Sequence, residues 1–160
     1  MGNTTVMDAK DAVYGSLGEC FVTIGKRRYN FMSITEFESK WDVTISDVKV
    51  LGKVGMGHKP AGGKGTWKGK AHYNQSVLRE MANQYQKTGK LSYFEIQSSN
   101  EDPSSAAGRQ TIIHRGCLCD SFILAKLVAG EEILEEDISG TFESWDMPEK
   151  FKELDGFRTN

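Results

Sequence analysis

The stretch that decides the fold is YNFMSITEFESKWDVTI, residues 29–45. One set of alternating positions carries aromatic side chains and the other carries charged ones: Tyr29, Phe31, Phe37 and Trp41 on the first, Glu36, Glu38, Lys40 and Asp42 on the second. A period of two is typical of a β-strand with one apolar and one polar face. A strand of this length would extend about 55 Å, so we expect a bend or a bulge to interrupt it.

The segment after this strand, GKVGMGHKPAGGKG at residues 52–65, is rich in glycine. It also contains a proline and shows no apolar periodicity, so it predicts a long flexible Gly-rich loop. Long irregular segments of compact domains are usually functional or disordered. Alternation resumes in GTWKGKAHY, residues 65–73, which predicts a further strand with Trp67 and Ala71 on its apolar face.

One α-helix is predicted after that strand. Asn74 or Ser76 can cap its first turn, because a short polar side chain accepts hydrogen bonds from the free backbone amides. An apolar stripe with helical spacing then runs from Val77 to Tyr85. Gly89 supplies a left-handed stop at the C-terminal end.

Further β-rich runs lie on both sides of these elements. Residues 19–24 meet a turn at Gly25 and return through Tyr29, which predicts a hairpin. The other β-rich runs are residues 92–97, 110–119, 120–128 and 133–145. The chain is therefore predicted to be mainly β, with an N-terminal arm at residues 1–18, a β domain at 19–147 and a C-terminal extension at 148–160.

Length and composition exclude several classes of protein. The chain has 160 residues and a formal net charge of −2, which fits one domain and argues against a dedicated nucleic-acid binder. No apolar run approaches the roughly 18 residues of a transmembrane span, and the N-terminus has no basic start, so we expect neither a span nor Sec export. The 3 cysteines are an odd number and indicate a reducing cytoplasm rather than a disulfide framework.

Charge is segregated along the chain. Residues 51–73 hold lysines and no acids, whereas residues 131–155 are strongly acidic. Opposite charges on separate segments allow copies of a chain to associate. Pairing within one chain, or two solvated faces, explains the same distribution.

The sequence shows no intact motif for nucleotide binding, metal binding or catalysis. Lys64 follows a glycine, as in a P-loop, but Gly65 stands where that motif needs Ser or Thr. His114, Cys117 and Cys119 lack metal-ligand spacing, and we interpret the cysteines as small buried hydrophobic residues. The histidines have no recognisable catalytic partners, and the acids near residue 135 resemble a solvated edge. We therefore expect no enzyme activity, no cofactor and no metal.

The order of the predicted elements and the amino-acid sequence of several segments resemble a known protein family. These stretches are GHKPAGGKGTWKGKAHY (57–73) leading into SVLREM, KTGKLSYFEIQ (87–97), DSFILAKLVAGEEILEEDISGTFE (120–143) and PEKF (148–151). They are similar to the tail tube proteins of contractile-tailed phages and phage-like particles, specifically the XkdM type of PBSX-like defective prophages.

The resemblance implies an antiparallel β-sandwich or barrel-like tail tube fold with one flanking helix. It also implies a structural, self-assembling protein whose six-membered rings stack into the inner tube of a contractile phage tail or tail-like bacteriocin, a conduit for DNA passage or membrane puncture. The implied partners are other copies of the chain, sheath, tape measure and baseplate proteins, with DNA only as transient cargo and no membrane binding. The implied location is a virion tail or tail-like particle, assembled in the bacterial host cytoplasm.

Two sets of candidate residues follow from that reading. The predicted ring-stacking loop contains Lys53, Gly55, Gly57, His58, Lys59, Gly62, Gly63 and Lys64. An acidic lining would repel DNA phosphates, and the predicted lumen-facing residues are Glu36, Glu38, Asp42, Glu135, Asp137 and Glu143. Lys40, Lys68 and Lys70 would oppose this role if they share that face.

Two alternatives remain open from the sequence. One is a secretion-system tube protein of related fold. The other is a monomeric module that binds nucleic acid or another anion through the basic Gly-rich loop, which salt-sensitive DNA affinity without an oligomer would favour.

Overall fold

The computed structural model describes residues 6–31, 34–130 and 133–154. The described residues divide into two compact units: the first comprises residues 6–31, 94–115 and 145–154, and the second comprises residues 34–93, 116–130 and 133–144. Both consist mostly of antiparallel β-sheet, which confirms the predicted fold class. Within the described residues, no helix is both long enough and apolar enough to cross a membrane.

In chain order the elements are β1 (Gly18–Ile24), β2 (Arg27–Asn30), β3 (Ile34–Val48), β4 (Gly57–His72), α1 (Val77–Thr88), β5 (Phe94–Glu101), β6 (Arg109–Ser121), β7 (Glu135–Phe142) and β8 (Ser144–Glu149). A short 3-10 helix, Ala9–Asp11, precedes them. β6 contributes its residues up to 115 to the first unit and the remainder to the second.

The first unit is built around β1, which pairs antiparallel with β2 on one side and with β5 on the other. The hairpin predicted at residues 19–29 is confirmed, and Gly25 makes its turn with φ of 63°. β6 follows β5 in the sheet, and β8 pairs with β6. Val22 lies opposite Ile96 in the register, and both side chains are buried in the core of this unit.

The cysteines behave as the sequence predicts, since Cys20, Cys117 and Cys119 are all buried and form no disulfide with one another. Burial raises the pKa of the Cys20 thiol to about 12 and that of the Cys119 thiol to about 11. Both thiols are therefore protonated and unreactive at neutral pH. His114 is also buried, and its Nδ1–H donates to the Ile96 carbonyl oxygen at 3.0 Å.

Arginines of β6 hold the acids of neighbouring strands in the first unit. Arg115 bonds Asp146 at 2.7 Å and Glu95 at 3.0 Å. Arg109 lies within 3.7 Å of carboxylates from three segments, those of Glu19, Glu101 and Glu149. Part of the acidic C-terminal region is therefore neutralised within the chain, as one of the two interpretations of its charge predicts.

The loop between β5 and β6 anchors the segment that precedes β1. Asp102 accepts the backbone N–H of Ser104 at 2.9 Å and that of Tyr14 at 3.0 Å. Ser105 donates its hydroxyl to the Asp11 carbonyl oxygen at 2.8 Å. The Ser104 and Tyr14 amides hold the pKa of the Asp102 carboxyl below its usual range.

The second unit contains the strand order β6-β7-β4-β3 together with α1. The expected irregularities in the long strand are confirmed: the β3–β4 register shifts between Ile34 and Glu36 and again between Val43 and Ile45. The second shift falls where Gly62 has φ of 103°, a value that favours glycine. The quoted stretch 29–45 is divided between β2 and β3, because Phe31 lies outside both strands.

The predicted Gly-rich loop at residues 52–65 is wrong from Gly57 onward. Those residues form the first part of β4 and pair with β3 as far as Val48 opposite Gly57. Glycine suggested a loop, but here Gly63 makes room for an aromatic side chain: a Cβ on it would lie 2.5 Å from the Trp41 ring. Only residues 49–56, which connect the two strands, remain outside β-structure.

The predicted helix is confirmed as α1, and its C-cap Gly89 has φ of 74° and donates to the Tyr85 carbonyl oxygen. Ser76 occupies the N-cap position, but its side chain makes no cap hydrogen bond. The β-rich interpretation of residues 120–128 is wrong after Ser121, where the chain is irregular. The strand predicted at 133–145 is broken at Glu143, between β7 and β8.

Replacing Asp102 by asparagine tests the anchor of the N-terminal segment. The amide carries its own N–H donors, so it cannot accept both backbone amides, and we expect Asp102→Asn to lower the urea midpoint at pH 7. Because the folded pKa is depressed, the stabilisation is present above the ordinary Asp pKa of about 3.9 and is lost as pH falls through the folded value. Urea unfolding from pH 7 to pH 2.5 should show the two midpoints converging.

The control for this measurement is Glu80→Gln, which removes an exposed carboxylate from α1. Because Glu80 lies in the first turn of α1, the midpoint of this variant at pH 7 should lie slightly below that of the wild type and clearly above that of Asp102→Asn. Equal midpoints for Asp102→Asn and the wild type at pH 7 would contradict the assigned role of this carboxylate.

Candidate assembly surface

The second unit extends a two-stranded ribbon beyond its sheet. β4 pairs with β7 only from Gly65 onward, whereas its residues 57–64 pair with β3 alone. We call residues 42–64 the distal hairpin. Its strands extend about 25 Å at the usual rise per residue. An isolated two-stranded hairpin is marginally stable in water, so this ribbon requires support from another surface.

The distal hairpin exposes apolar side chains on its strands and in its connecting segment. Val43 is 50% exposed and Ile45 is 55% exposed. Leu51 and Val54, in the connection, are fully exposed. Clustered apolar exposure of this kind marks protein–protein interaction sites. The ribbon therefore has the surface chemistry of an interface.

The residues of the predicted ring-stacking loop all lie in this distal hairpin. Lys53 and Gly55 are in the connection between the strands, and the remaining six are in β4: Gly57, His58, Lys59, Gly62, Gly63 and Lys64. The two strands are joined by side chains near the connection, where His58 Nδ1 lies 3.0 Å from Asp47 Oδ1. The structure thus brings these residues together on one projecting element.

Glycines and aromatic rings interlock on one face of the β3–β4–β7 sheet. Gly65 lies beside Phe142, and a Cβ on Gly65 would be 2.5 Å from that ring. A Cβ on Gly140 would be 2.8 Å from the Trp67 ring and would overlap the Leu118 carbonyl oxygen. The rings also contact one another, with centroids 6.3 Å apart for Phe37 and Trp67. Any side chain at these glycines would displace a ring or a backbone.

The opposite face of the same sheet is charged on every strand. Its ionisable side chains, which we call the charged face, are Glu36, Glu38, Lys40 and Asp42 of β3, Lys64, Lys68, Lys70 and His72 of β4, and Glu135 and Asp137 of β7. Directly paired residues in an antiparallel sheet project to the same side. Lys70 is paired with Glu36 on one side and with Asp137 on the other.

Five of the six predicted lumen-facing residues therefore share a face, but that face is not acidic. Lys68 Nζ lies 3.9 Å from Glu38 Oε2, and Lys40 Nζ lies 4.0 Å from Asp42 Oδ2. The register places a lysine beside nearly every acid, so the face carries both signs of charge, and the lumen-facing role of its acids stays a prediction. The sixth residue, Glu143, lies in the break after β7, where its carboxylate would be 2.9 Å from a Cβ on Gly116.

A buried ion pair in the second unit was missed by the sequence interpretation. Arg79 of α1 donates to Glu136 of β7 at 2.6 Å, and only 17% and 7% of the two side chains are exposed. Arg79 also donates to the backbone carbonyls of Gln75 and Ile123. Glu136 and the buried Ile138 are two residues apart on β7, so their side chains lie on the same face. This alternation was the sequence signal that Glu136 does not belong to a solvated acidic edge.

Nothing in these contacts resembles a catalytic or metal centre. No group of His, Cys, Asp and Glu side chains suited to a metal ion occurs within the described ranges. What the second unit offers instead is a projecting apolar ribbon, an interlocked aromatic face and a charge-balanced face. Comparison with known protein families gives a match: the model of the "Phage tail tube protein" family matches residues 5–149.

The chain belongs to the phage tail tube protein family. It is accordingly a structural component of a tail and not an enzyme. A curated relative is the phage-like element PBSX protein XkdM of Bacillus subtilis, 29% identical over 147 residues, which cover 92% of this chain and 97% of that protein. The resemblance drawn from the sequence is thereby confirmed.

Solved structures share the tail tube fold at low identity. A chain in the cryo-EM structure of the anti-feeding prophage (AFP) baseplate, 6-fold symmetrised, has a TM-score of 0.62 at 12% identity, covering 92% of this chain and 97% of that one. A chain in the sheath/tube terminator of an extracellular contractile injection system, PVC, in the extended state, has a TM-score of 0.57 at 13% identity, covering 80% and 91%.

Substitution of a single glycine tests the aromatic–glycine interlock. We expect Gly140→Ala to lower the free energy of unfolding by about 1–3 kcal/mol, because the added methyl group meets both a backbone carbonyl and the Trp67 ring. Chemical denaturation measures the change. Gly55→Ala is the matched control, since nothing lies within 4 Å of a Cβ there. A Gly140→Ala protein as stable as this control would contradict the packing described.

A double-mutant cycle tests the buried ion pair. Removing one partner leaves a buried charge uncompensated, so Arg79→Met and Glu136→Leu should each cost about 3 kcal/mol of unfolding free energy. The double variant should cost clearly less than the sum of the two, as measured by urea denaturation. The exposed pair of Lys68 and Glu38 provides the comparison, because Glu38→Gln should cost less than about 1 kcal/mol. Additive effects at Arg79 and Glu136 would show that the pair is not coupled.

Proposed function

We propose that this tail tube protein forms six-membered rings that stack into the inner tube of a contractile tail or tail-like particle, through which DNA or a puncturing device passes. The observation that carries the proposal is the distal hairpin, an exposed apolar ribbon on an otherwise folded unit. The 6-fold symmetrised AFP assembly, in which a chain of similar fold occurs, supports the number of copies.

Ring closure is supported by the open edge of β3. Within the described residues this strand ends the order β6-β7-β4-β3 and forms its ladder with β4. A strand at the end of a sheet is a template for pairing with another chain, and β3 is fifteen residues long. Pairing between copies around a ring removes such edges, as full closure does in a barrel.

Stacking is supported by the distal hairpin, whose apolar side chains would be buried against the next ring. Its connecting segment is also basic, with Lys49 and Lys53 and no acid between residues 49 and 56. The acidic C-terminal region of a neighbouring copy offers opposite charge, although Glu136, Asp146 and Glu149 are already paired within their own chain. The hairpin residues proposed to stack are those from Lys53 to Lys64.

Other partners follow from the same role. The PVC chain of similar fold belongs to a sheath/tube terminator, which supports contact between this tube and a sheath. The AFP baseplate supports contact with a baseplate, and a tape measure protein would occupy the tube before release. We propose that the charged face lines the lumen and that assembly takes place in the bacterial host cytoplasm.

Shortening the hairpin tests the proposal. Replacing residues 44–62 with Asn-Gly joins Val43 to its partner Gly63 by a two-residue turn. Negative-stain microscopy and light scattering over a range of concentrations should show six-fold rings or tubes for the wild type and a monomer for the shortened chain. The melting temperature should change little, because the deleted side chains are exposed.

Gly15→Ala leaves the hairpin unchanged and, because nothing lies within 4 Å of a Cβ there, should assemble like the wild type. Tubes formed equally well by the shortened chain would overturn the role of the hairpin. A wild-type chain that stays monomeric and binds DNA in a salt-sensitive manner would instead favour the anion-binding module.

A further inference from the structure

The lysines of the charged face form a potential polyanion site on β4. Lys64, Lys68 and Lys70 project from the same side of one strand, and Lys40 of β3 joins them. Lys68 and Lys40 are 68% and 64% exposed at their side chains. Lysines on a regular strand face are well suited to contact the phosphates of a nucleic acid.

Every one of these lysines has an acid as its cross-strand partner or two residues away on its own strand. Glu38 is opposite Lys68, Glu36 is opposite Lys70, and Asp42 is opposite Lys64. Asp42 also lies 4.0 Å from Lys40, and Asp137 lies on the far side of Lys70. Directly paired residues are about 5 Å apart, which is shorter than the Debye length of about 8 Å in physiological salt. The opposite charges therefore cancel before they can act on a polyanion outside.

The stability of the chain does not explain this arrangement. Exposed ion pairs contribute at most about 1 kcal/mol each, and the contacts at Lys68 and Lys40 are long, at 3.9 Å and 4.0 Å. The side chains of both pairs are more than half exposed. Their effect is on the electrostatic potential above the face.

We propose that Glu36, Glu38 and Asp42 mask the lysine row of β4, so that this face neither attracts nor repels a nucleic acid that passes over it. The role as a conduit wall rests on the function proposed above, but the masking itself is a property of a single chain. In this proposal the three acids suppress the binding of DNA to the lysines. An acidic lining, by contrast, would repel DNA. The class of ligand excluded is double-stranded or single-stranded nucleic acid.

Removal of the masking charges tests the proposal. Fluorescence anisotropy with a labelled duplex DNA should detect no binding to the wild type at 50 mM salt. The variant Glu36→Gln/Glu38→Gln/Asp42→Asn should bind at least about 10-fold more tightly. If three lysines each contact a phosphate, affinity should fall roughly 40-fold between 50 and 200 mM salt. Glu38→Gln alone, which unmasks Lys68, should give a smaller gain and serves as the less perturbed variant.

Two controls separate masking from a general change in charge. Asp8→Asn/Glu80→Gln/Glu153→Gln makes the same change in net charge at exposed positions outside β3, β4 and β7 and should gain no binding. Adding Lys68→Gln/Lys70→Gln to the triple variant should abolish the gained affinity. Binding by the wild type, or equal gains for the two triple variants, would overturn the proposal.

Light scattering on the same samples keeps this result distinct from the proposed function. A triple variant that gains DNA binding as a monomer supports masking. This conclusion holds whether or not the wild type forms tubes. Tubes that form normally while the triple variant gains no binding would leave the tube function standing and overturn the masking.

Discussion

The second unit depends on the close approach of aromatic rings to glycine backbone. Trp41 occupies the space above Gly63, and Trp67 occupies the space above Gly140. Because a strand has a side-chain period of two, slipping β4 by one residue would present side chains to these rings and turn lysines toward the core. The interlock therefore selects one register, and that register decides which charges meet on the opposite face.

The same register explains why the hairpin can extend past its sheet. Over residues 65–72 β4 is held on both sides, by β3 and by β7, so the base of the hairpin is rigid. Residues 57–64 of β4, on the N-terminal side of Gly65, keep their pairing with β3 but are not paired with β7. A ribbon with exposed apolar side chains and an open edge gains stability only from a partner, which links the folding of this element to assembly.

The sequence interpretation succeeded where the signal was local. The alternation of apolar and polar residues predicted the two faces of β3 and β4. Candidate capping residues and an apolar stripe with helical spacing predicted α1, and the sequence of several segments indicated the correct family. It failed at Gly57–Lys64, because glycine serves both in loops and opposite aromatic rings in a strand. It also failed after Ser121, where β-favouring residues such as Ile123 lie in an irregular segment whose backbone accepts a hydrogen bond from Arg79.

The amino-acid sequence by itself determined the class of fold, the amphipathic faces, the helix and the separation of basic from acidic segments. These properties depend on residues close together in the chain. Only the tertiary structure decided that Glu136 is buried against Arg79 and that the acids of β3 stand beside the lysines of β4. Pairing between strands joins residues distant in sequence, and a shift of one position would exchange every neighbour, so charge balance is a property of the register and not of the composition.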